Sequence, residues 1–306
     1  MHEVARRAFS ARPPLDPPAA ALADTVADVQ AALAPPGCGV VAESDGVIVA
    51  SLLVRFDAAI DQPAPIATIR RVGVLPDYRH HGVADALVRA TLRSLADGGI
   101  NRARLLARAE LPQIIAWWQA RGFLIDHEVA HGYIMSAHLP PPLRAATAAD
   151  MHRLGVTLAP YLRVGDTIIA SGALGAGKTV LAQGIGDGLG VLGPVISPTF
   201  VLARLHPSPS GVGLVHVDAY RLGSAAELAD IDPGAGLPQA VTYIEWGTGL
   251  AEGLNDERLE IHIERDDDDA RTVYLMPVGR RWRAVEWEEL ARVYQSGPVT
   301  EGSDHD

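Results

Sequence analysis

Gly172-Ala173-Leu174-Gly175-Ala176-Gly177-Lys178-Thr179 is the stretch whose reading decides the fold of the second half of the chain. It fits the phosphate-binding pattern G-x-x-x-x-G-K-[ST]. Its flanks supply the context that pattern requires. Thr167-Ile168-Ile169-Ala170 reads as a short apolar strand, and Val180, Leu181, Ile185 and Leu189 fall at helical spacing behind the loop. Gly172, Gly175 and Gly177 let the backbone curl, with Ala176 between them, so that several N–H groups point inward. That nest and the positive end of the following helix suit a polyphosphate. Lys178 would reach the β- and γ-phosphates, and the Thr179 hydroxyl would hold Mg²⁺.

The lysine count sharpens this reading. The chain has 26 Lys and Arg residues, and Lys178 is the only lysine among them. Arginine serves nearly everywhere else. The exception stands where a compact ammonium fits a phosphate cradle and a planar guanidinium does not. A glycine-rich turn before a core helix is the bland alternative, and the strand, the helix and the single lysine together weigh against it.

With 306 residues, the chain is long enough for two domains of ordinary size. It is 48% hydrophobic and 21% charged, a normal globular balance. No apolar run approaches a bilayer span, and no apolar segment follows the basic N-terminus as it would in a secretory signal. Cys38 is the only cysteine, so no intrachain disulfide can form. A cytoplasmic protein without a membrane is expected. Charge is lopsided: residues 1–139 hold 13 basic against 14 acidic residues, and 140–306 hold 13 against 23. An acidic second half is ill suited to grip DNA or RNA by itself.

The break is expected at Pro140-Pro141-Pro142, read as a stiff extended linker. An α/β protein of two domains follows, 1–139 and 140–285, with 286–306 as a C-terminal extension ending in a frayed tail. In the first half the pattern gives a helix over 19–33. Strands are expected at 39–43 and 47–56 around the turn Ser44-Asp45-Gly46, and a third at 66–74. A loop at 75–82 opens a helix over 83–95. A strand at 104–109, a helix at 114–121 and strands at 123–125 and 129–135 complete it.

This half resembles the GNAT family of acyl-CoA-dependent N-acyltransferases. The resemblance rests on Val72-Gly73-Val74-Leu75-Pro76-Asp77-Tyr78-Arg79-His80-His81-Gly82-Val83-Ala84, which contains the family's R-x-x-G-x-[GA] loop. Trp117-Trp118-Gln119-Ala120-Arg121-Gly122-Phe123 is similar to its late helix. The resemblance implies a GNAT-like mixed sheet with helices. It implies that Arg79, His80, His81, Gly82, Val83 and Ala84 cradle the diphosphate of acetyl-CoA on a helix N-terminus. Val72 and Val74 would offer backbone N–H groups to the thioester carbonyl. Trp118 stands where the family has a tyrosine acid, and Leu111 where it has an asparagine. Glu43 and Glu110 are candidate bases. A GNAT-shaped module that binds acyl-CoA without catalysis stays open beside an active transferase, and no acceptor is implied.

In the second half, Thr147 is the expected cap of a helix over 148–162. After the phosphate loop, Ser197-Pro198-Thr199-Phe200 reads as a mobile loop. Strands at 212–217 and 240–244 end in Asp218 and Glu245. In an open α/β sheet the C-terminal strand edge is where a nucleotide lies, so two carboxylates there can hold Mg²⁺ or polarise a water. These runs, with His216-Val217-Asp218-Ala219-Tyr220-Arg221-Leu222 and Glu245-Trp246, are similar to the TsaE family. That is the ATPase component of the machinery for threonylcarbamoyladenosine in tRNA. The resemblance implies Mg-ATP on a P-loop NTPase sheet, with Lys178, Asp218 and Glu245 catalytic and Thr179 and Glu245 on the metal. Thr199 would lie on a nucleotide-sensing switch. Trp246 and Arg271 would lie near the nucleotide. TsaB- and TsaD-type partners would handle the tRNA and be reset by ATP turnover. The rivals are a P-loop small-molecule kinase, for which no arginine-rich lid is found, and a GTPase, whose Asn-Lys-x-Asp motif needs a second lysine.

Overall fold

The computed structural model describes residues 1–57, 65–209, 211–231 and 239–297. The expected frayed tail lies outside them from residue 298 onward. The chain divides into two compact units, Met1–Leu139 and Pro140–Asp306.

The first unit is a six-stranded sheet built from β1 (Gly37–Ser44), β2 (Val47–Asp57), β3 (Ile66–Val74), β4 (Arg102–Arg108), β5 (Leu124–Val129) and β6 (Gly132–His138), in the order β1-β2-β3-β4-β6-β5. Asp45 and Gly46 both take positive φ between β1 and β2, the geometry that matches a two-residue hairpin to strand twist. Four helices accompany the sheet: α1 (His2–Ser10), α2 (Val26–Leu33), α3 (Val83–Asp97) and α4 (Pro112–Gln119). The expected helix over 19–33 is two pieces. Ala20–Leu22 is a single 3₁₀ turn, and α2 starts afresh because Thr25 and Asp28 form a capping box. Leu22 and Val26 are consequently exposed rather than inward. Helix α1 has little apolar signature in the sequence, since it buries only Val4, Ala5 and Ala8.

One irregularity shapes this sheet. Strand β3 carries a bulge at Arg71 and Val72, where two residues face the single Leu52 of β2, and Arg71 takes a φ of 56°. A bulge bends its strand. β3 pairs with the parallel β4 only over Ile66–Thr68, and its later residues leave β4. A wedge opens between two strands that remain in one sheet.

The second unit is a seven-stranded sheet in the order β7-β13-β12-β8-β11-β10-β9. Its strands are β7 (Leu143–Ala145), β8 (Thr167–Gly172), β9 (Ala203–His206), β10 (Gly213–Asp218), β11 (Ala240–Glu245), β12 (Arg258–Arg265) and β13 (Arg271–Val278). The central four, β12, β8, β11 and β10, run parallel. Their near-continuous apolar runs suit burial on both faces. Helices α5 (Ala148–Leu158) and α6 (Lys178–Leu189) pack on the face bearing Ile168 and Ala170. They approach closely at Gly184, where a Cβ would stand 1.9 Å from the His152 carbonyl oxygen. Thr147 caps α5 as expected, but α5 ends before Pro160 and continues as a 3₁₀ turn. Helix α7 (Ala225–Asp230) places Leu228 in the smaller cluster on the face bearing Ile169.

Within the C-terminal extension expected after 285, α8 (Trp287–Gln295) buries Trp287, Leu290, Ala291 and Tyr294 in the core of this unit. At the proline segment Leu139 and Pro140 are buried, and β7 follows as a strand paired with β13.

Candidate functional site

The phosphate loop leaves β8 with Gly172 at a φ of 148°, and Gly175 and Gly177 are also at positive φ. A side chain at Gly172 would meet the Ile263 carbonyl oxygen at 2.6 Å. These are backbone positions that only glycine fills without strain. Gly177 is the N-cap of α6, so the loop opens onto the helix N-terminus. Tyr243 of β11 is fully buried and donates its hydroxyl to the Lys178 carbonyl at 2.8 Å, which ties the first turn of α6 to the sheet.

Asp218 and Glu245 are direct register neighbours on parallel β10 and β11, and Glu245 neighbours Ala170 of β8. Both carboxylates therefore stand at the same strand edge as the phosphate loop. Glu245 Oε1 accepts from Thr179 Oγ1 at 2.7 Å and from His216 Nε2 at 2.8 Å. Asp218 Oδ2 accepts from Thr199 Oγ1 at 2.6 Å, and Oδ1 accepts from the Tyr220 N–H at 3.0 Å. Thr199 lies in the 193–200 segment and its carbonyl is also held by Arg221. Phe200 beside it is 92% exposed.

Lys178 does not extend outward in this structure. Its Nζ donates to the Gly172 and Ala173 carbonyls at 2.8 and 2.9 Å and stands 3.6 Å from the Trp246 ring centroid. Burial draws its pKa below the usual lysine value, and Glu245 and Asp218 counter this. Trp246 takes a φ of 59°, an uncommon backbone for a bulky residue, and its ring meets Tyr220 edge-on at 5.1 Å. Arg271 Nη2 reaches the Gly175 carbonyl at 3.3 Å. The residues singled out in this half, Gly172 to Thr179, Thr199, Asp218, Glu245, Trp246 and Arg271, thus lie in one connected site. His216 belongs to it as well. No local pattern in the sequence marks it, because its partner lies 29 residues on, across a strand pair.

The donors fit a hard divalent cation. The Thr179 hydroxyl and the Glu245 carboxylate are oxygen donors within reach of each other that could ligate one, and Glu245 is 4% exposed. Both of its hydrogen bonds fall on Oε1, so Oε2 carries the free lone pairs. Among the described residues no cluster of three His, Cys, Asp or Glu side chains forms a metal cage. A cation here would lean on ligand oxygens as well as protein, the usual arrangement for Mg²⁺ with a nucleotide.

In the first unit, Gly82 at a φ of 76° is the N-cap of α3, so the residues 80–84 form a turn at a helix N-terminus. His80 and His81 are exposed there. Arg79 donates to the Ala8 carbonyl at 2.7 Å. Val72 and Val74 lie on the part of β3 that has left β4. Trp118 is 6% exposed and packs edge-on against Phe123 at 4.9 Å, so it is a core residue. Glu110 is bound by Arg108, whose side-chain hydrogen bond holds its pKa below the usual range, which leaves it a weak base.

Comparison with known proteins divides at the same place. The family described as Threonylcarbamoyl adenosine biosynthesis protein TsaE matches residues 145–273, and the Acetyltransferase (GNAT) family matches residues 1–123. A tRNA threonylcarbamoyladenosine biosynthesis protein TsaE of Streptomyces coelicolor is 48% identical over 147 residues, 46% of this chain and 99% of that one. Its namesake in Bacillus subtilis is 36% identical over 149 residues, covering 49% and 92%. A solved PaiA N-acetyltransferase from Thermoplasma acidophilum, in complex with coenzyme A, is similar at 14% identity and a TM-score of 0.38, over 45% of this chain and 89% of that chain.

Proposed function

This chain belongs to the TsaE family of threonylcarbamoyladenosine biosynthesis proteins, joined to a GNAT domain, and on that premise we propose that its second unit hydrolyses Mg-ATP to reset a TsaB–TsaD complex. The observation that carries the reading is the meeting of Thr179 and Glu245 on one carboxylate oxygen at the mouth of the phosphate loop. Thr179 and Glu245 would hold the cation, which supplies neutralisation of the β- and γ-phosphates. The backbone N–H groups of 175–179 bind the phosphate oxygens, and the α6 N-terminus adds its dipole. Lys178 leaves its two loop carbonyls and takes phosphate oxygens in their place. Asp218 is held at both oxygens by Thr199 and Tyr220, a posture suited to orienting the attacking water through a carboxylate lone pair. Thr199 links that carboxylate to the 193–200 segment, so a change at the nucleotide reaches a surface where Phe200 stands exposed.

The first unit binds an acyl-CoA in this reading. The α3 N-terminus receives the diphosphate and the β3–β4 wedge receives the thioester, with the Val74 N–H as a donor. The family's tyrosine acid is absent, since its position is the core residue Trp118.

Calorimetry of the full chain tests both ligand assignments. Mg-ATP is expected to bind in preference to Mg-GTP, and acetyl-CoA to bind independently of either. Equal affinity for both nucleotides contradicts the ATPase reading, and absence of acetyl-CoA binding at millimolar concentration contradicts the acyl-CoA reading.

A further inference from the structure

The segment between α1 and α2, residues 11–25, straps the two strands that the wedge separates. On the β3 side Arg12 Nη2 donates to the Val72 carbonyl at 3.0 Å, and Arg71 makes a two-pronged ion pair with Asp24 at 2.5 and 2.9 Å. On the β4 side Arg108 donates to the Asp16 and Pro17 carbonyls at 2.9 and 2.8 Å. Arg71 and Arg108 both have carboxylate partners, Asp24 and Glu110. Arg12 has none among the described residues. Its guanidinium lies over the Phe9 ring at 4.1 Å and is half-buried at the bulge. Arg79 is the cation beside it, bound among the described residues to the Ala8 carbonyl alone. Burial and the Arg79 charge both pull the Arg12 pKa below its usual value.

Two half-buried guanidiniums with no counter-charge among the described residues are costly to hold together. The α1 carbonyl at Ala8 offsets part of that for Arg79, as a helix C-terminus does for any cation. Among the described residues Arg12 gains one neutral carbonyl, which leaves four of its five N–H donors without a protein acceptor there. Planar forked donors of this kind match a carboxylate or phosphate. The coenzyme's diphosphate has its own seat at the α3 N-terminus. Arg12 instead stands at the bulge, beside the strand segment that faces a thioester.

We propose that Arg12, flanked by Arg79, is an acceptor subsite, and that the acyl acceptor of this unit carries a carboxylate or phosphate close to its amine. The proposal rests on the acyl-CoA reading above. In the transfer, the amine nitrogen attacks the thioester carbonyl, a C–N bond forms and the C–S bond breaks. The acyl group passes to nitrogen, the amine gives up a proton, and the coenzyme leaves as its thiol after taking one. Arg12 takes no part in those bonds. It sets which amine is presented.

The test uses the full chain saturated with coenzyme A and two small product-like probes, N-acetylglycine, which carries a carboxylate, and N-acetylglycinamide, which does not. Binding is read by NMR titration. The wild type is expected to prefer the carboxylate by about tenfold or more. Arg12→Gln, which keeps a donor for the Val72 carbonyl, is expected to lose the preference while binding coenzyme A as before. Arg12→Lys is expected to keep part of it. Equal binding of the two probes by the wild type, or binding of neither, overturns the proposal. A weakened coenzyme affinity in Arg12→Gln also overturns it, because Arg12 would then belong to the coenzyme's seat. Failure of the wild type to bind coenzyme A overturns the acyl-CoA reading itself, and this inference with it.

Discussion

His216 Nε2 lies 2.8 Å from Glu245 Oε1, and the two side chains are 0% and 5% exposed. The imidazole N–H pins one carboxylate oxygen, the same one that Thr179 holds, and its Nδ1 is buried without a hydrogen-bond partner. The ring edge also meets Tyr243 at 5.6 Å. Glu245 is thereby fixed with one oxygen spent and one offered to the site. His216→Phe fills the space without the donor and is expected to raise the Mg²⁺ concentration for half-maximal ATPase activity, with a loss of about 10–100-fold in affinity or rate. His216→Gln is expected to restore part of it. A magnesium titration of the two variants decides the matter, and identical curves for wild type and His216→Phe contradict the positioning role.

Lys178 and Trp246 give a spectroscopic handle. The ammonium rests 3.6 Å from the indole centroid while its donors are occupied by Gly172 and Ala173 carbonyls. Mg-ATP is expected to draw the ammonium onto phosphate and change the Trp246 emission. Lys178→Ala should show a shifted starting emission and no response to ATP. A full response in that variant would mean that Lys178 does not move on binding.

The α5 capping box links stability to pH. The Thr147 hydroxyl and N–H bind the Asp150 carboxylate, and the Thr147 side-chain hydrogen bond is the largest cause holding the Asp150 pKa below its usual value. A depressed carboxylate contributes stability that is present above the unfolded-state pKa and is lost as pH falls through the folded-state one. Thr147→Ala is expected to cost about 1 kcal/mol at neutral pH. That difference should shrink below the ordinary aspartate range. Thermal denaturation at several pH values measures it; a cost that grows on acidification has the wrong sign.

Most of the strand framework was legible because apolar runs and turn residues agreed. Asp218 and Glu245 could be placed at one edge from strand ends alone. What pairs with them could not. His216 and Glu245 meet through parallel register between β10 and β11, and Arg12 meets Val72 across 60 residues, so no local pattern announces either. The break before α2 had a local sign, Thr25 three residues ahead of Asp28, which the apolar spacing of Leu22, Val26 and Val29 outweighed. In α8, Trp287, Leu290, Ala291 and Tyr294 keep helical spacing among acidic neighbours, and the polar composition masked a buried stripe.

That stripe carries its own expectation. Trp287 is 2% exposed and its ring stands 6.1 Å from Trp282. Trp287→Ala is expected to destabilise the second unit by about 3–5 kcal/mol. Chemical denaturation followed by tryptophan emission measures the loss, and a value under about 1 kcal/mol would place α8 outside the core.

ATP hydrolysis by the full chain, alone and with TsaB- and TsaD-type proteins, bears most directly on the function proposed here. Turnover should be slow alone and rise when the partners are added. Lys178→Ala and Glu245→Ala should each lose about a hundredfold or more of the stimulated rate. Turnover that ignores the partners, or variants that keep full activity, would contradict it.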